Sequence, residues 1–289
     1  MPSQSDLQNS HQYSIFESEP TEGALKTHNY PEDEVQRDTI TSRDETSFSV
    51  AVRLATCVHG HLNGPQTEPA SLIIFEYEVH SREDNSVVKS LETNFKFTQT
   101  AQSGPSVVAY APFIRRRYNF STGDITHSQG FEATGGAGAG PGNLEASYSK
   151  QREKSHEQQY FEKVESYTGY NERQKRHDEI TYRFTQNQSQ KHGVTPFFRT
   201  AVLLKRTDDQ PFKAYFKIDL RGGFMYNTSQ GLKKVFGKSP DDPINFDPAV
   251  QPLFGEAQVD KDQLSQYAQG KELSKELAPI WGVDVHVDD

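Results

Sequence analysis

The sequence predicts an all-β fold: an antiparallel β-sandwich, jelly-roll or immunoglobulin-like, with a disordered N-terminal arm and a partly helical C-terminal tail. Three observations predict it. About nine short stretches alternate apolar and polar residues with period 2, which is the pattern of strands with one buried face. Few stretches between them carry the 3.6 period of a helix, so the long crossovers that parallel strands need are missing. The two ends of the chain are polar, acidic and largely without period.

Residues 1–46 are rich in Ser, Gln, Glu, Asp and Thr and read as a solvated arm. The sandwich is expected over 47–237. In "SFSVAVRLATCV" (47–58) Phe48, Val50, Val52 and Leu54 alternate with smaller or polar residues. "LIIFEYEV" (72–79) and "VVKSLETNFKFTQ" (87–99) flank the polar "SREDNS", as the arms of a hairpin would. "SVVAYAPF" (106–113) is a further strand, followed by weaker ones at 145–155, 158–168 and 178–188. "PFFRTAVLLKR" (196–206) and "PFKAYFKIDLR" (211–221) are the clearest pair, joined by a turn at "TDDQ". Paired side by side, they would place Arg199, Lys205, Lys213 and Lys217 in one basic strip for the acidic tail or arm to cover.

The tail, 238–289, is expected to pack on the sandwich as an acidic loop and short helices. "GLKKVFGK" suggests a helical turn, and "SPDDPINFDPAVQP" holds too many prolines for a strand. Asp260 with Gln263 suggests a helix start, Gly270 an interruption and Pro279 a stop, with a last strand at "WGVDVHV".

Composition bounds the function. Of 289 residues, 33% are hydrophobic, and Cys57 is the single cysteine, so no intramolecular disulfide forms. No apolar run reaches membrane-span length, and the first residues lack the pattern of a secretory signal. The expectation is a cytoplasmic protein, with the nucleus as an alternative, and not a secreted one. The net charge of −9 is uneven: residues 1–46 carry −7, residues 239–289 carry −8, and the middle carries +6. Acidic flanks make nucleic acid an unfavourable partner.

Catalytic motifs fail one by one. The Gly/Ala-rich "GGAGAGPG" (135–142) meets Pro141 or Asn143 where a dinucleotide fingerprint needs its third glycine, and reads as a flexible loop. Gly231 and Gly237 enclose five residues where a phosphate loop has four. "HEQQY" has Tyr160 where a zinc-protease helix needs its second histidine. The "IRRRYNF" run (114–120) mixes cations and aromatics as single-strand binders do, but a single run carries little.

Two period-2 clusters have the side chains of zinc or iron ligands: Cys57, His59 and His61 in "CVHGH", and Asp284, His286 and Asp288 in "VDVHVDD". Asp241, Asp242 and Asp247 offer a calcium loop of the kind sandwiches carry.

At "RTAVLLKR" (199–206) and "PDDPINFDP" (240–248) the chain resembles a group of uncharacterised β-rich proteins of filamentous fungi, over roughly residues 47–250. The resemblance implies an all-β cytosolic protein and brings no activity, cofactor or catalytic residue. The function expected first is a non-catalytic binding or interaction protein with an unknown protein or small-molecule partner. The alternatives are an enzyme or carrier acting on a small apolar metabolite, and a calcium- or lipid-dependent surface binder.

Overall fold

The structure is a computed structural model that describes residues 27–44, 47–84, 86–99, 104–113, 115–128, 153–224, 233–236, 241–255 and 257–281. Its strands are β1 (Thr39–Asp44), β2 (Phe48–His61), β3 (Pro69–Ser81), β4 (Ser86–Thr98), β5 (Ser106–Ala111), β6 (Arg115–Ser128) and β7 (Glu153–Asn171). After them come β8 (Arg176–Thr185), β9 (Phe197–Lys205), β10 (Phe212–Phe224), β11 (Lys233–Phe236), β12 (Ile244–Phe246), β13 (Ala268–Gln269) and β14 (Glu272–Leu273).

The strands form two sheets. The first runs β1-β2-β3-β9-β5-β14-β13, and the second runs β11-β10-β4-β8-β7-β6 with β12 also beside β10. The named pairings are antiparallel except β14 against β5. The all-β, two-sheet prediction therefore stands. One expected pairing does not: β9 lies in the first sheet and β10 in the second, so "TDDQ" carries the chain between sheets and the strip of four cations is split.

Between the sheets, aromatic residues dominate. Phe75 stacks on Phe95 at 4.0 Å, Phe95 meets Phe216 at 4.9 Å, and Tyr77 stacks on Phe198 at 4.6 Å. Rings of this size supply most of the apolar area such a core removes from water. The Tyr77 hydroxyl shares a hydrogen bond with Thr93 at 3.0 Å, and the Tyr182 hydroxyl donates to the Ala201 carbonyl at 2.9 Å. A second cluster covers the opposite face of the first sheet: Leu72, Ile74, Ala201 and Leu203 pack under Val259, Leu264, Leu273 and Leu277 of the tail. Burial on both faces explains why "LIIF" and "AVLL" are continuous apolar runs.

The helical tail is the main correction. No α-helix occurs among the described residues; Leu264–Tyr267 and Lys275–Leu277 are single 3-10 turns. The Asp260 carboxylate accepts the Asp262 N–H at 3.0 Å and closes a local turn instead of capping a helix. Gly270, at φ +62°, turns β13 into β14 rather than interrupting a helix. The tail also approaches too closely for a helix's bulk: a Cβ at Gly60 would lie 1.9 Å from the Lys261 carbonyl oxygen.

Elsewhere, β1 forms inside the stretch expected as an arm, with Ile40 fully buried. Residues 233–236 form β11 where a helical turn was expected, and β12 forms between Pro243 and Pro248 on the edge of β10. An edge strand tolerates flanking prolines because one row of its backbone groups needs no partner.

Candidate functional site

The feature that sets this sandwich apart is the hairpin of β6 and β7. β7 is 19 residues long, but β8 pairs only with Lys163–Asn171 of it. From there outward β7 has β6 as its one neighbour. Eight register pairs, from Ser121↔Tyr160 to Ser128↔Glu153, continue past the end of β8. Among the described residues neither outer edge of that ribbon is paired. At about 3.4 Å per residue the eight pairs extend about 27 Å.

The root of the ribbon is firmly held. Val164 is buried in the core at 2% exposure. Glu162 is buried too, and its carboxylate accepts the Thr195 N–H at 2.8 Å and the Thr195 hydroxyl at 3.0 Å. The ladder then shifts register between Tyr118 and Ser121, a bulge placed where the ribbon leaves the body. Bulges bend and twist the strand that carries them.

The loop that supplies Thr195 leads into β9, so the start of β9 lies beside the ribbon's root. Phe197 is 41% exposed there, with the His80 ring at 5.2 Å. Arg199 lies over the half-exposed Trp281 ring at 4.8 Å and donates to Glu76 at 2.7 Å. Aromatic rings with a polar handle are at home where one side is apolar and the other wet.

The residues singled out from sequence lie elsewhere. A bulge between Leu54 and Thr56 shifts β2 by one residue, so Cys57 and His59 turn into the core instead of facing away from Leu54. The Cys57 sulfur is 3.4 Å from His59 Nε2, and His59 Nδ1 is 2.8 Å from the Ser71 hydroxyl. Burial pushes the Cys57 thiol well above its ordinary range, although Arg206 opposes this. Burial, reinforced by the Arg206 charge, holds His59 down at about 4. Such a pair stays neutral at pH 7 and supplies no thiolate. His61 turns away to Asp262, 3.5 Å distant. Asp284, His286 and Asp288 lie outside the described residues.

Two of the three loop aspartates, Asp241 and Asp242, hold the N-terminal segment down, and the Asp247 carboxylate closes its own turn. Asp241, buried, accepts the Thr27 N–H at 2.9 Å and pairs with buried Arg43 at 3.3 Å. Asp242 accepts the Asn29 N–H at 3.2 Å, and Asp247 accepts the Ala249 N–H at 2.9 Å. Among the described residues no group of three His, Cys, Asp or Glu side chains converges on a metal position.

Arg115–Arg117, which read as a weak nucleic-acid signal, begin β6 at the ribbon's root. No sequence signal marked residues 115–128 as a strand. Residues 115–128 show no period-2 alternation, and β7 is the one neighbour of β6 among the described residues.

The sequence matches no family model and no curated protein. Several solved structures do match. A chain described as a pore forming protein shares 6% identity over 73% of this chain and 85% of its own, at a TM-score of 0.30. The Clostridium perfringens NetB toxin in its membrane-inserted form shares 8% identity, covering 75% of this chain and 92% of that one, at a TM-score of 0.25. The delta-toxin of Clostridium perfringens gives 8% identity, 72% and 92% coverage and a TM-score of 0.25. None of these is described as an intracellular interaction protein, and the expectation of a fungal-type, cytoplasmic interaction protein is withdrawn; at TM-scores of 0.30 and below the likeness itself carries no argument for what this chain does. Alternating strands and an acidic average charge indicate an all-β chain and do not by themselves assign it a role.

Proposed function

We propose that the protein acts at lipid bilayers as an oligomer, in which the β6–β7 ribbons of neighbouring copies pair edge to edge into a closed barrel. The observation that carries this reading is the ribbon itself, eight register pairs long and open on both edges among the described residues. A two-stranded ribbon in water is marginal alone, and an open edge is a template for another strand. Head-to-tail pairing of identical ribbons closes into a ring when the rotation per copy divides the circle, and a closed barrel leaves no edge.

Strands of a closed barrel tilt by about 45°, so a spanning strand needs about 9–11 residues, and the described ribbon supplies eight register pairs towards that length. A closed barrel satisfies every backbone group internally, as a spanning structure requires; the polar "STGDITHS" and "EKSHEQQY" give the ribbon no continuous apolar band, so the reading rests on the ladder and its open edges. No helix among the described residues is long and apolar enough to cross a membrane, a fact that leaves strands untouched. Phe197, His80 and Trp281 sit at the ribbon's root, the level at which a bilayer surface would meet the body.

The test is dye release from phosphatidylcholine vesicles, read together with the oligomeric state of the vesicle-bound protein. Release that accompanies a ring-sized oligomer is the expected result. A protein that stays monomeric on vesicles and releases nothing would overturn the reading.

A further inference from the structure

Splitting the predicted basic strip between two sheets leaves its members in different states. Arg199 is paired with Glu76 and Lys205 with Glu68. Lys213 and Lys217 of β10 have no such partner, and the structure brings a third lysine to them. Lys213, Tyr215 and Lys217 alternate with the buried Ala214 and Phe216, so all three face outward from the second sheet. Lys96 of β4 stands directly opposite Tyr215 in the ladder, between buried Phe95 and Phe97.

Tyr215 therefore sits within a triangle of lysines. Its ring is 47% exposed, and the three lysines are exposed as well. Each lysine position is within about 7 Å of Tyr215, from strand rise and strand spacing. Among the described residues none of the three ammonium groups has an ion pair or a hydrogen bond. Of the neighbouring carboxylates, Glu179 places its charge directly across from Lys96, while Asp219 and Glu92 lie beside arginines. Glu179, opposite Lys96 on β8, accepts from the Asn94 amide at 2.6 Å. Asp219 lies 3.7 Å from Arg221, and Glu92 accepts from Arg183 at 2.6 Å.

Three like charges around one aromatic ring repel one another, and the arrangement persists at low cost only while water or an anion screens them. The geometry points to a binding site for an acidic polysaccharide, a chain bearing sulfate or carboxylate groups. Its anions would pair with Lys96, Lys213 and Lys217 while the apolar face of one sugar ring stacks on Tyr215. The charge complementarity is local: the whole chain, at −9, repels polyanions, so attraction must come from this patch.

The acidic row of Asp219 and Glu92 bounds the patch on one side, which leaves too small a basic area for the phosphate track of a nucleic acid. A bilayer reached by the tip of the ribbon would lie edge-on to this face, because the ribbon runs along the strand direction and the patch looks out across the sheet. The site does not depend on the membrane reading above and stands if that reading falls.

The experiment is retention of the full chain on an immobilised heparin-type sulfated polysaccharide at low ionic strength, beside a neutral dextran column. Specific retention is expected, with a salt-dependent elution and roughly tenfold weaker binding for the Lys96→Gln, Lys213→Gln, Lys217→Gln triple variant at about 0.1 M salt. Tyr215→Ala should weaken retention several-fold, and Lys205→Gln should leave it unchanged. All five side chains are exposed or half-exposed, so melting temperature should hold across the set and exclude misfolding. Equal retention of wild type and triple variant, or no retention above dextran, overturns the proposal. Retention that appears only after removal of residues 1–26 also overturns it, since the patch would then belong to the chain's own acidic arm.

Discussion

β7 is one strand living in two environments. Its C-terminal half has β8 on one side and places Val164 in the core, while its N-terminal half has β6 alone. The body's strands have neighbours and a buried face; the ribbon has a ladder and open edges. The difference shows that hydrogen bonds shape a sheet but burial secures it. The same twelve-pair ladder joins β6 to β7 along its length, yet only the part beside β8 is tied to the core.

The largest expected effect tests the body. Phe95→Ala removes a fully buried ring that stacks on Phe75 and meets Phe216 at a tilt, and should lower the unfolding free energy in a urea titration by about 3–5 kcal/mol. A loss below about 1 kcal/mol would mean the core is not what holds the sheets together.

Next is Asp241→Ala, which leaves the buried Arg43 guanidinium without its carboxylate and unties Thr27. A loss of about 3 kcal/mol is expected by the same titration, with the N-terminal segment becoming protease-sensitive first.

The pH dependence follows from His59. Its folded value of about 4 lies below the unfolded value near 6.5, so the folded state prefers the neutral ring. That contribution is complete above about pH 6.5 and is lost as pH falls towards 4, on the order of 3 kcal/mol at most. His59→Gln should flatten the profile in this window in thermal melts taken at a series of pH values. An unchanged slope would place the acid sensitivity elsewhere.

The smallest stability effect sharpens the comparison most. Thr126→Pro interrupts the ladder in the ribbon, and should change the unfolding free energy of the body by less than about 0.5 kcal/mol. It should nonetheless abolish vesicle dye release. If it destabilises the body as a core proline would, the ribbon is part of the fold and not an attachment to it.

The sequence made the body legible and the ribbon not. Val50, Val52 and Leu54, or Phe212, Ala214 and Phe216, alternate because one face of each strand meets the core. β6 has β7 as its one neighbour among the described residues, and "STGDITHS" carries no such period, so no strand was expected there. The direction of Cys57 and His59 was misjudged because a bulge has no reliable signature in a single sequence. The tail's turns were mistaken for helices because Asp260 and Gly270 serve either purpose, and what decides between them is the close approach of Lys261 to Gly60. The lysine triangle was half visible: Lys213 and Lys217 declare themselves by spacing, but Lys96 joins them only through a ladder spanning more than a hundred residues.

The shift of register between Tyr118 and Ser121 carries one more implication, about order in time. It lies between ladder tied to buried Glu162 and Val164 and ladder held by β6 and β7 alone, and local opening is expected first on the outer side. In a hydrogen-exchange record the two sides of that bulge would keep different clocks, hours on one side and seconds on the other. On the oligomeric reading proposed above, a chain with such a division would complete its body before its ribbon met a partner, so folding and assembly would be successive events rather than competing ones.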